Sequence, residues 1–346
     1  MSIQHPLEFF IQLHLTEKCN LKCTHCYQSG EGSDEMSLAE IRSLIREVAD
    51  MVGEWSAAYG VFFSTSFNIT GGEPFLREDI FKVLEELTSR GIDAYLLSNG
   101  LLINRKRAEM LAKLGVKGVQ VSIEGPEDIH DAIRGKGSLK RSLSGIHCLL
   151  DAGLEVTMNT TLSDMNAAHF ADIISLASKT GVQKLGFSRL VPSGSGRHLL
   201  HKMLTKDVLE DLYRRIFSLD TANLKIVTGD PVASQFRWPA GEDGSSSFPS
   251  GGCAAGVSGL TILPDGTVTP CRRLPVPIGN VRTDSLREIW ATSDVLNSLR
   301  DKSRYHGKCG NCKKWSRCRG CRAIAYEFSH ARGLAHYLAE DPQCFL

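Results

Sequence analysis

Short apolar runs recur along the chain, each followed by a stretch in which apolar positions return every three or four residues. The runs read as buried strands and the longer stretches as amphipathic helices. Strands are expected over Phe9–Leu15, Phe62–Thr70, Ala94–Ser98, Gly118–Ile123, Glu155–Leu162 and Lys184–Leu190. Between them the pattern predicts helices from Met36–Glu40 to about Met51, then over Glu78–Arg90, Arg105–Leu114, Leu139–Ala152 and Ala167–Lys179, with Lys206–Ser218 closing the set. Ser37 followed by Glu40 has the spacing of a capping box, and Gly91 and Gly115 stand where helix-ending glycines commonly stand.

Strict alternation of strand and helix requires a parallel sheet with right-handed crossovers. Six units suit an incomplete (β/α)6 TIM-like barrel better than a closed eightfold one, and functional residues are then expected in loops at the C-terminal strand ends. The expected organisation is a barrel over residues 1–218, a linker or bridging region over 219–252, and a small cysteine-rich α+β domain over 253–346. Ser193–Gly196 and the Gly- and Ser-rich stretch from Gly241 to Gly252 read as a flexible surface loop and an interdomain linker, with a mobile lid as the sharper alternative.

Composition narrows the class. Forty basic and 39 acidic residues nearly cancel, so bulk charge gives no reason to expect a nucleic-acid or membrane partner. The chain opens with no signal-like segment and holds no apolar run of membrane-spanning length, which leads to the expectation of a soluble, cytoplasmic protein. Eleven cysteines in a chain of 346 residues without a secretion signal favour metal sites over disulfides. Ten of them fall into metal-like groups. Cys148, inside an apolar helix pattern, reads as a small buried hydrophobe.

Cys19, Cys23 and Cys26 follow the first strand at spacings that let one loop present three thiolates to a single iron-sulfur cube, leaving one iron open. Short cysteine spacings also occur in zinc loops. Tyr27 comes next, and Gly71-Gly72-Glu73-Pro74 ends the second predicted strand. Together these residues resemble the radical S-adenosylmethionine superfamily, whose cysteine motif is Cys-x3-Cys-x2-Cys followed by an aromatic residue.

The resemblance implies that S-adenosylmethionine binds the open iron and is cleaved reductively to a 5′-deoxyadenosyl radical that abstracts hydrogen. It implies that Gly71–Pro74 engage the methionyl amino group and that Ser122 and Arg134 contact its carboxylate. An arginine fork suits that carboxylate. Ser98 and Asn99, at the end of the third strand, would help to hold the ribose. Asn159 and Leu190 would reach ribose and adenine, and Tyr27 would line the adenine edge. Glu124, which stands where many relatives carry Asp, would be a further cofactor contact. His130–Gly135, which contains Arg134, reads as a loop.

The C-terminal cysteines are Cys253, Cys271, Cys309, Cys312, Cys318, Cys321 and Cys344, with Pro264-Asp265-Gly266 turning a hairpin between Leu260–Leu263 and Thr267–Thr269. A zinc ribbon could use the four-cysteine run from Cys309 to Cys321 alone. The whole set resembles the SPASM extension, which implies two auxiliary [4Fe-4S] clusters and three clusters in all. By position Cys309, Cys312, Cys318 and Cys344 would hold the outer cluster, and Cys253, Cys271 and Cys321 the inner one. No cysteine shortly after Cys253 completes the inner set.

SPASM proteins commonly modify peptides or partner proteins, so the first functional expectation is a peptide maturase that crosslinks, epimerises or oxidises its substrate. Only a short segment precedes Phe9, so a separate protein would supply leader recognition, and a flavodoxin or ferredoxin would supply electrons. Arg272 stands where sulfatase maturases carry an aspartate base, against formylglycine formation. Haem-pathway side-chain processing is the second reading. The segments Cys321-Arg322-Ala323 and Asp341-Pro342-Gln343-Cys344 resemble those enzymes, and Arg272 and Arg273 could pair with propionates. Small-molecule dehydrogenation is third. A non-catalytic iron-sulfur or zinc scaffold is the alternative from a different class. No residue stands out as a catalytic acid or base.

Overall fold

The computed structural model describes residues 7–28, 34–221, 223–237 and 248–346. Six parallel strands, β1 (Leu7–His14), β2 (Phe63–Thr70), β3 (Asp93–Ser98), β4 (Gly118–Ser122), β5 (Val156–Leu162) and β6 (Lys184–Arg189), lie side by side in chain order. The intervening helices are α1 (Leu38–Tyr59), α2 (Ile80–Ser89), α3 (Arg105–Lys113), α4 (Glu127–Arg134), α5 (Ser138–Asp151), α6 (Phe170–Thr180) and α7 (Lys206–Ser218). The strand-and-helix pattern of the sequence is therefore the observed incomplete barrel.

Helix α1 starts where its sequence dictates. Ser37 Oγ accepts from the Glu40 N–H, and Glu40 returns a bond to the Ser37 N–H, which satisfies two first-turn donors. Ile41, Leu44, Ile45, Val48, Met51 and Val52 form its buried stripe, and full burial of such side chains contributes about 1.5–3 kcal/mol each. The helix runs past the expected end to Tyr59, stopping at Gly60 with φ 62°.

Alternation along the strands sorts core from lumen. Val119, Val121, Val156 and Met158 join the hydrophobic core, whereas Gln120, Ser122, Asn159 and Thr161 line a cavity inside the barrel. Successive side chains on a strand point to opposite faces, so apolar positions pack under the helices while polar ones line the interior.

Three features depart from the expectations. The His130–Gly135 stretch is not a loop, because Glu127–Arg134 form α4 with Glu127 and Asp128 in its first turn and Arg134 in its last, the charge order that favours a helix. The 219–252 stretch contributes a strand, β7 (Lys225–Val227), which pairs in parallel with β6; its Gly- and Ser-rich part from Gly241 to Ser247 lies outside the described residues. Finally, the C-terminal hairpin β8 (Gly259–Ile262) and β9 (Thr267–Thr269) joins the barrel sheet: β8 pairs in parallel with β1, and β10 (Gly279–Asn280) extends the edge. Gly259 permits this pairing, since a Cβ there would meet the Phe10 carbonyl at 2.5 Å.

Candidate functional site

Cys19, Cys23 and Cys26 lie just beyond the C-terminal end of β1, and their loop is held from three sides. Thr24 N–H donates to the Ile133 carbonyl of α4 at 2.9 Å. From the second strand's turn, Gly72 N–H donates to the Thr16 carbonyl at 2.7 Å and Glu73 N–H to the Lys18 carbonyl at 2.9 Å. A side chain on Gly71 would collide with the Thr16 carbonyl and one on Gly72 with the Lys18 carbonyl. The two glycines are thus required by the packing of one loop on another.

The third hold comes from the segment after β6. Ser195 N–H donates to the Gln28 carbonyl at 3.0 Å, and Gly196 N–H to the Cys26 carbonyl at 2.8 Å. Gly194, at φ 55°, approaches the Tyr27 carbonyl so closely that no Cβ fits. Ser193–Gly196, expected to be a flexible loop or a lid, is a clamp on the cysteine loop.

Glu73 is fully buried and points away from the cavity. Its carboxylate accepts from Ser98 Oγ at 3.0 Å, Asn99 N–H at 2.9 Å and Phe75 N–H at 3.3 Å. Burial outweighs these bonds and pushes its carboxyl up to about 7. Glu124 is also fully buried. It accepts from Arg134 Nε at 2.9 Å, His25 Nε2 at 3.1 Å and Thr161 N–H at 2.8 Å. Burial works against ionisation there, but Arg134 and His25 prevail and hold the carboxyl far below its ordinary range. Arg134 NH1 remains 3.7 Å from Cys23 Sγ, and Asn99 Nδ2 lies 3.9 Å from Cys19 Sγ.

These elements surround a cavity of about 570 Å3. Cys19, Cys23, Cys26, Tyr27, Gly71, Gly72, Ser98, Asn99, Ser122, Arg134, Asn159 and Leu190 all line it; Glu73, Pro74 and Glu124 do not, and instead sit behind residues that do. Sequence reasoning missed Gln120, Thr161 and Ser188 on its wall. The signal for them was strand alternation, since Gln120 and Thr161 lie two positions from the chosen Ser122 and Asn159, and Ser188 two from Leu190. His25, Lys22 and His198 also line it; nothing in their local pattern marks His198.

The cavity wall also carries Arg272 and Arg273. The Arg272 guanidinium lies over the Tyr27 ring at 5.6 Å, and among the described residues it has no carboxylate partner. Arg273 donates through NH1 to the Arg189 carbonyl at 3.2 Å, while its buried Nε has no partner among the described residues. Cys271 and Cys321 are the thiols whose charge Arg273 feels most.

All seven C-terminal cysteines are free. Cys253 N–H donates to the Cys318 carbonyl at 3.2 Å, and Arg322 NH2 lies 3.7 Å from Cys309 Sγ. Burial pushes the Cys318 and Cys321 thiols up to about 12. Among the described residues no three His, Cys, Asp or Glu side chains converge on a single metal ion. The donor chemistry suits iron-sulfur clusters: free thiols, with guanidinium groups beside Cys23, Cys309 and Cys271 to balance anionic sulfur.

An incomplete parallel barrel with three thiols at the mouth of its first strand, capped by a cysteine-rich extension, is the architecture of an enzyme that uses an iron-sulfur cluster inside a barrel. Residues 13–177 match the radical SAM superfamily and residues 253–322 the SPASM iron-sulfur cluster-binding domain. AdoMet-dependent heme synthase of Nitratidesulfovibrio vulgaris is 31% identical over 350 residues, covering 96% of this chain and 91% of its own length. Mycofactocin maturase of Mycobacterium tuberculosis is 31% identical over 328 residues, covering 90% of this chain and 78% of its own. The crystal structure of Streptococcus suis SuiB bound to S-adenosylmethionine superimposes with a TM-score of 0.75 at 19% identity, covering 99% of this chain and 77% of that one. The chain belongs to the radical S-adenosylmethionine superfamily and carries a SPASM domain. It is therefore an enzyme of iron-sulfur and S-adenosylmethionine chemistry. No helix among the described residues is long and apolar enough to cross a membrane.

Proposed function

We propose that this enzyme processes a carboxylate-bearing side chain of a tetrapyrrole, with Arg272 and Arg273 receiving the carboxylate. The observation that carries the reading is the pair of guanidinium groups on the cavity wall, of which, among the described residues, Arg272 has no acidic partner and Arg273 has an unpartnered Nε. Arg272 is half-buried on that wall and stacked on the Tyr27 ring, so an anionic substrate group would meet a cation whose donors are not taken up by an acid among the described residues. The similarity to a heme synthase over nearly the whole chain supports a propionate as that group.

S-adenosylmethionine bound at the open iron of a cluster on Cys19, Cys23 and Cys26 would supply a hydrogen-abstracting 5′-deoxyadenosyl radical. This chain's residues do the rest. Glu124 fixes the Arg134 guanidinium, leaving NH1 for a methionyl carboxylate beside Ser122. Asn99, Asn159 and Leu190 line the space for the nucleoside. Arg272, braced on the Tyr27 ring, and Arg273, braced on the Arg189 carbonyl, orient the substrate carboxylate in the same cavity. Cys253, Cys271 and Cys321 would hold an inner cluster beside Arg273, and Cys309, Cys312, Cys318 and Cys344 an outer one. The resulting count is three clusters, with a flavodoxin or ferredoxin as electron donor.

The similarity to a mycofactocin maturase favours a second reading, in which a peptide carboxylate meets the same arginines and a separate protein presents the peptide. One experiment separates the two. The anaerobically reconstituted enzyme is reduced with dithionite and given S-adenosylmethionine with iron coproporphyrin III, whose side chains include propionates. The expected result, for each propionate processed, is a porphyrin mass loss of carbon dioxide and two hydrogens, one hydrogen appearing in 5′-deoxyadenosine and the other leaving as a proton, with the remaining electron accepted by an iron-sulfur cluster. Formation of 5′-deoxyadenosine that ignores the porphyrin but accelerates with a peptide would establish the second reading instead.

A further inference from the structure

The Asp341-Pro342-Gln343-Cys344 segment stands out in the sequence, yet only Cys344 has a role in the site described above. In the structure Asp341 is the centre of a buried junction. Its carboxylate accepts from Arg189 NH1 at 3.0 Å and NH2 at 2.7 Å, from Cys321 N–H at 2.7 Å and from Gln343 N–H at 3.0 Å. Its own carbonyl accepts from Cys344 N–H at 3.1 Å. Asp341 and Arg189 are each 2% exposed, and Arg189 together with backbone donors keeps the Asp341 carboxyl ionised against its burial.

Each contact leads to a different part of the site. Cys321 is the inner-set thiol beside Arg273, and Cys344 belongs to the outer set. Arg189 ends barrel strand β6, and its carbonyl holds the cavity-wall Arg273. On its other side Arg189 pairs with Asp230 at 2.5 Å through Nε and 2.9 Å through NH2, and Asp230 also accepts from Tyr213 Oη. Arg189 therefore has two carboxylate partners of similar burial and geometry. Only one of them, Asp341, also binds a cysteine backbone.

We propose that Asp341 is a positioning residue that sets the two C-terminal cysteine groups and Arg273 in a fixed relation to the barrel. One rigid carboxylate fixes the Cys321 backbone, the turn that presents Cys344 and the arginine that anchors the substrate wall. A charge-assisted carboxylate with all these donors in place is stiffer than a neutral amide, which has one acceptor oxygen and sets an NH2 donor where the second oxygen stood. The inference goes beyond the substrate assignment and rests on the reading of the two cysteine sets as cluster ligands.

The test compares Asp341→Asn with Asp230→Asn in the full-length chain. Both replace one carboxylate on Arg189, so both lower thermal stability, but only Asp341→Asn places an amide against the Cys321 N–H. After anaerobic reconstitution, iron and sulfide are counted and the reduced clusters are examined by electron paramagnetic resonance. The expected result is that Asp230→Asn keeps the parent count, while Asp341→Asn loses about four irons, one cube's worth, or shows a shifted auxiliary-cluster signal at unchanged signal from the Cys19–Cys26 cluster. Equal losses in the two variants, or parent-like iron and spectra in Asp341→Asn, would overturn the proposal. A parent chain that takes up only one cube would overturn the ligand reading itself, and the proposal with it. Neither measurement involves the substrate, so failure of the tetrapyrrole assignment is registered separately.

Discussion

Arg134 and Glu124 form a buried ion pair at the cysteine loop: Arg134 Nε and NH2 both reach one oxygen of Glu124, while NH1 of the same guanidinium stands 3.7 Å from Cys23 Sγ. The pair links the end of β4, the C-terminus of α4 and the cysteine loop. A third member, His25 from within that loop, donates to the same oxygen.

Removing the acid should therefore damage the cofactor site without any direct contact to it. Breaking a buried pair from one side costs about 3–5 kcal/mol. Glu124→Ala is expected to lower the melting temperature and to weaken S-adenosylmethionine binding by roughly tenfold or more, since each 1.4 kcal/mol is tenfold. Equilibrium binding and thermal unfolding with reconstituted protein measure both. Parent-like affinity would show that Arg134 needs no brace.

Glu73 gives a pH dependence of defined sign. Its folded-state carboxyl is raised from the ordinary 4.5 to about 7, so the folded protein holds this proton more tightly than the unfolded chain. The associated stability is fully present below pH 4.5 and is lost as pH rises through about 7, amounting to roughly 3 kcal/mol. Glu73→Gln should flatten the denaturation midpoint between pH 5 and pH 8 relative to the parent. Identical slopes in the two proteins would contradict the assignment.

Gly194 tests the clamp. Alanine there combines a left-handed backbone, φ 55°, with a collision against the Tyr27 carbonyl. The strain is about 1–3 kcal/mol before the clash is counted. Gly194→Ala should lower iron retention on Cys19, Cys23 and Cys26, read from the iron count during dialysis, more than Gly229→Ala, where a Cβ meets nothing within 4 Å.

Arg272→Gln should separate substrate binding from cofactor cleavage. Loss of a charge-assisted contact is worth about 1.5–3 kcal/mol, a weakening of roughly tenfold to a hundredfold in titrations with iron coproporphyrin III. The uncoupled cleavage of S-adenosylmethionine should persist at the parent rate. Loss of cleavage as well would mean that Arg272 serves the cofactor.

Cys23→Ala should abolish 5′-deoxyadenosine formation altogether. Turnover that survives without the cluster, assayed after dithionite reduction, would refute the radical mechanism for this chain.

Much of this architecture was legible in the order of residues. Period-two and period-3.6 patterns are local, so the six barrel strands and their helices could be read with small errors at the ends. The helix Glu127–Arg134 escaped because its apolar face is limited to residues such as His130 and Ile133, too short a run to show a period. The Lys225–Val227 strand escaped for a similar reason: at three residues it carries no alternation.

The candidate site divides in the same way. Cysteine spacing and the Gly-Gly-Glu-Pro turn are each contiguous in sequence, and they alone carried the superfamily resemblance and the expected place of the cofactor. What each polar group does was decided in three dimensions. Glu73 and Glu124 read as cofactor contacts, but they lie behind the cavity wall, bonded to residues 25 and 10 positions away. Arg272 and Arg273 could be matched to propionates only through a resemblance; it is the parallel pairing of Gly259–Ile262 with the first barrel strand that accompanies their position on the cavity wall. Hydrogen bonds between residues far apart in the chain, such as Arg189 to Asp341 across 152 positions, leave no periodic trace, because only folding brings the partners within reach of each other.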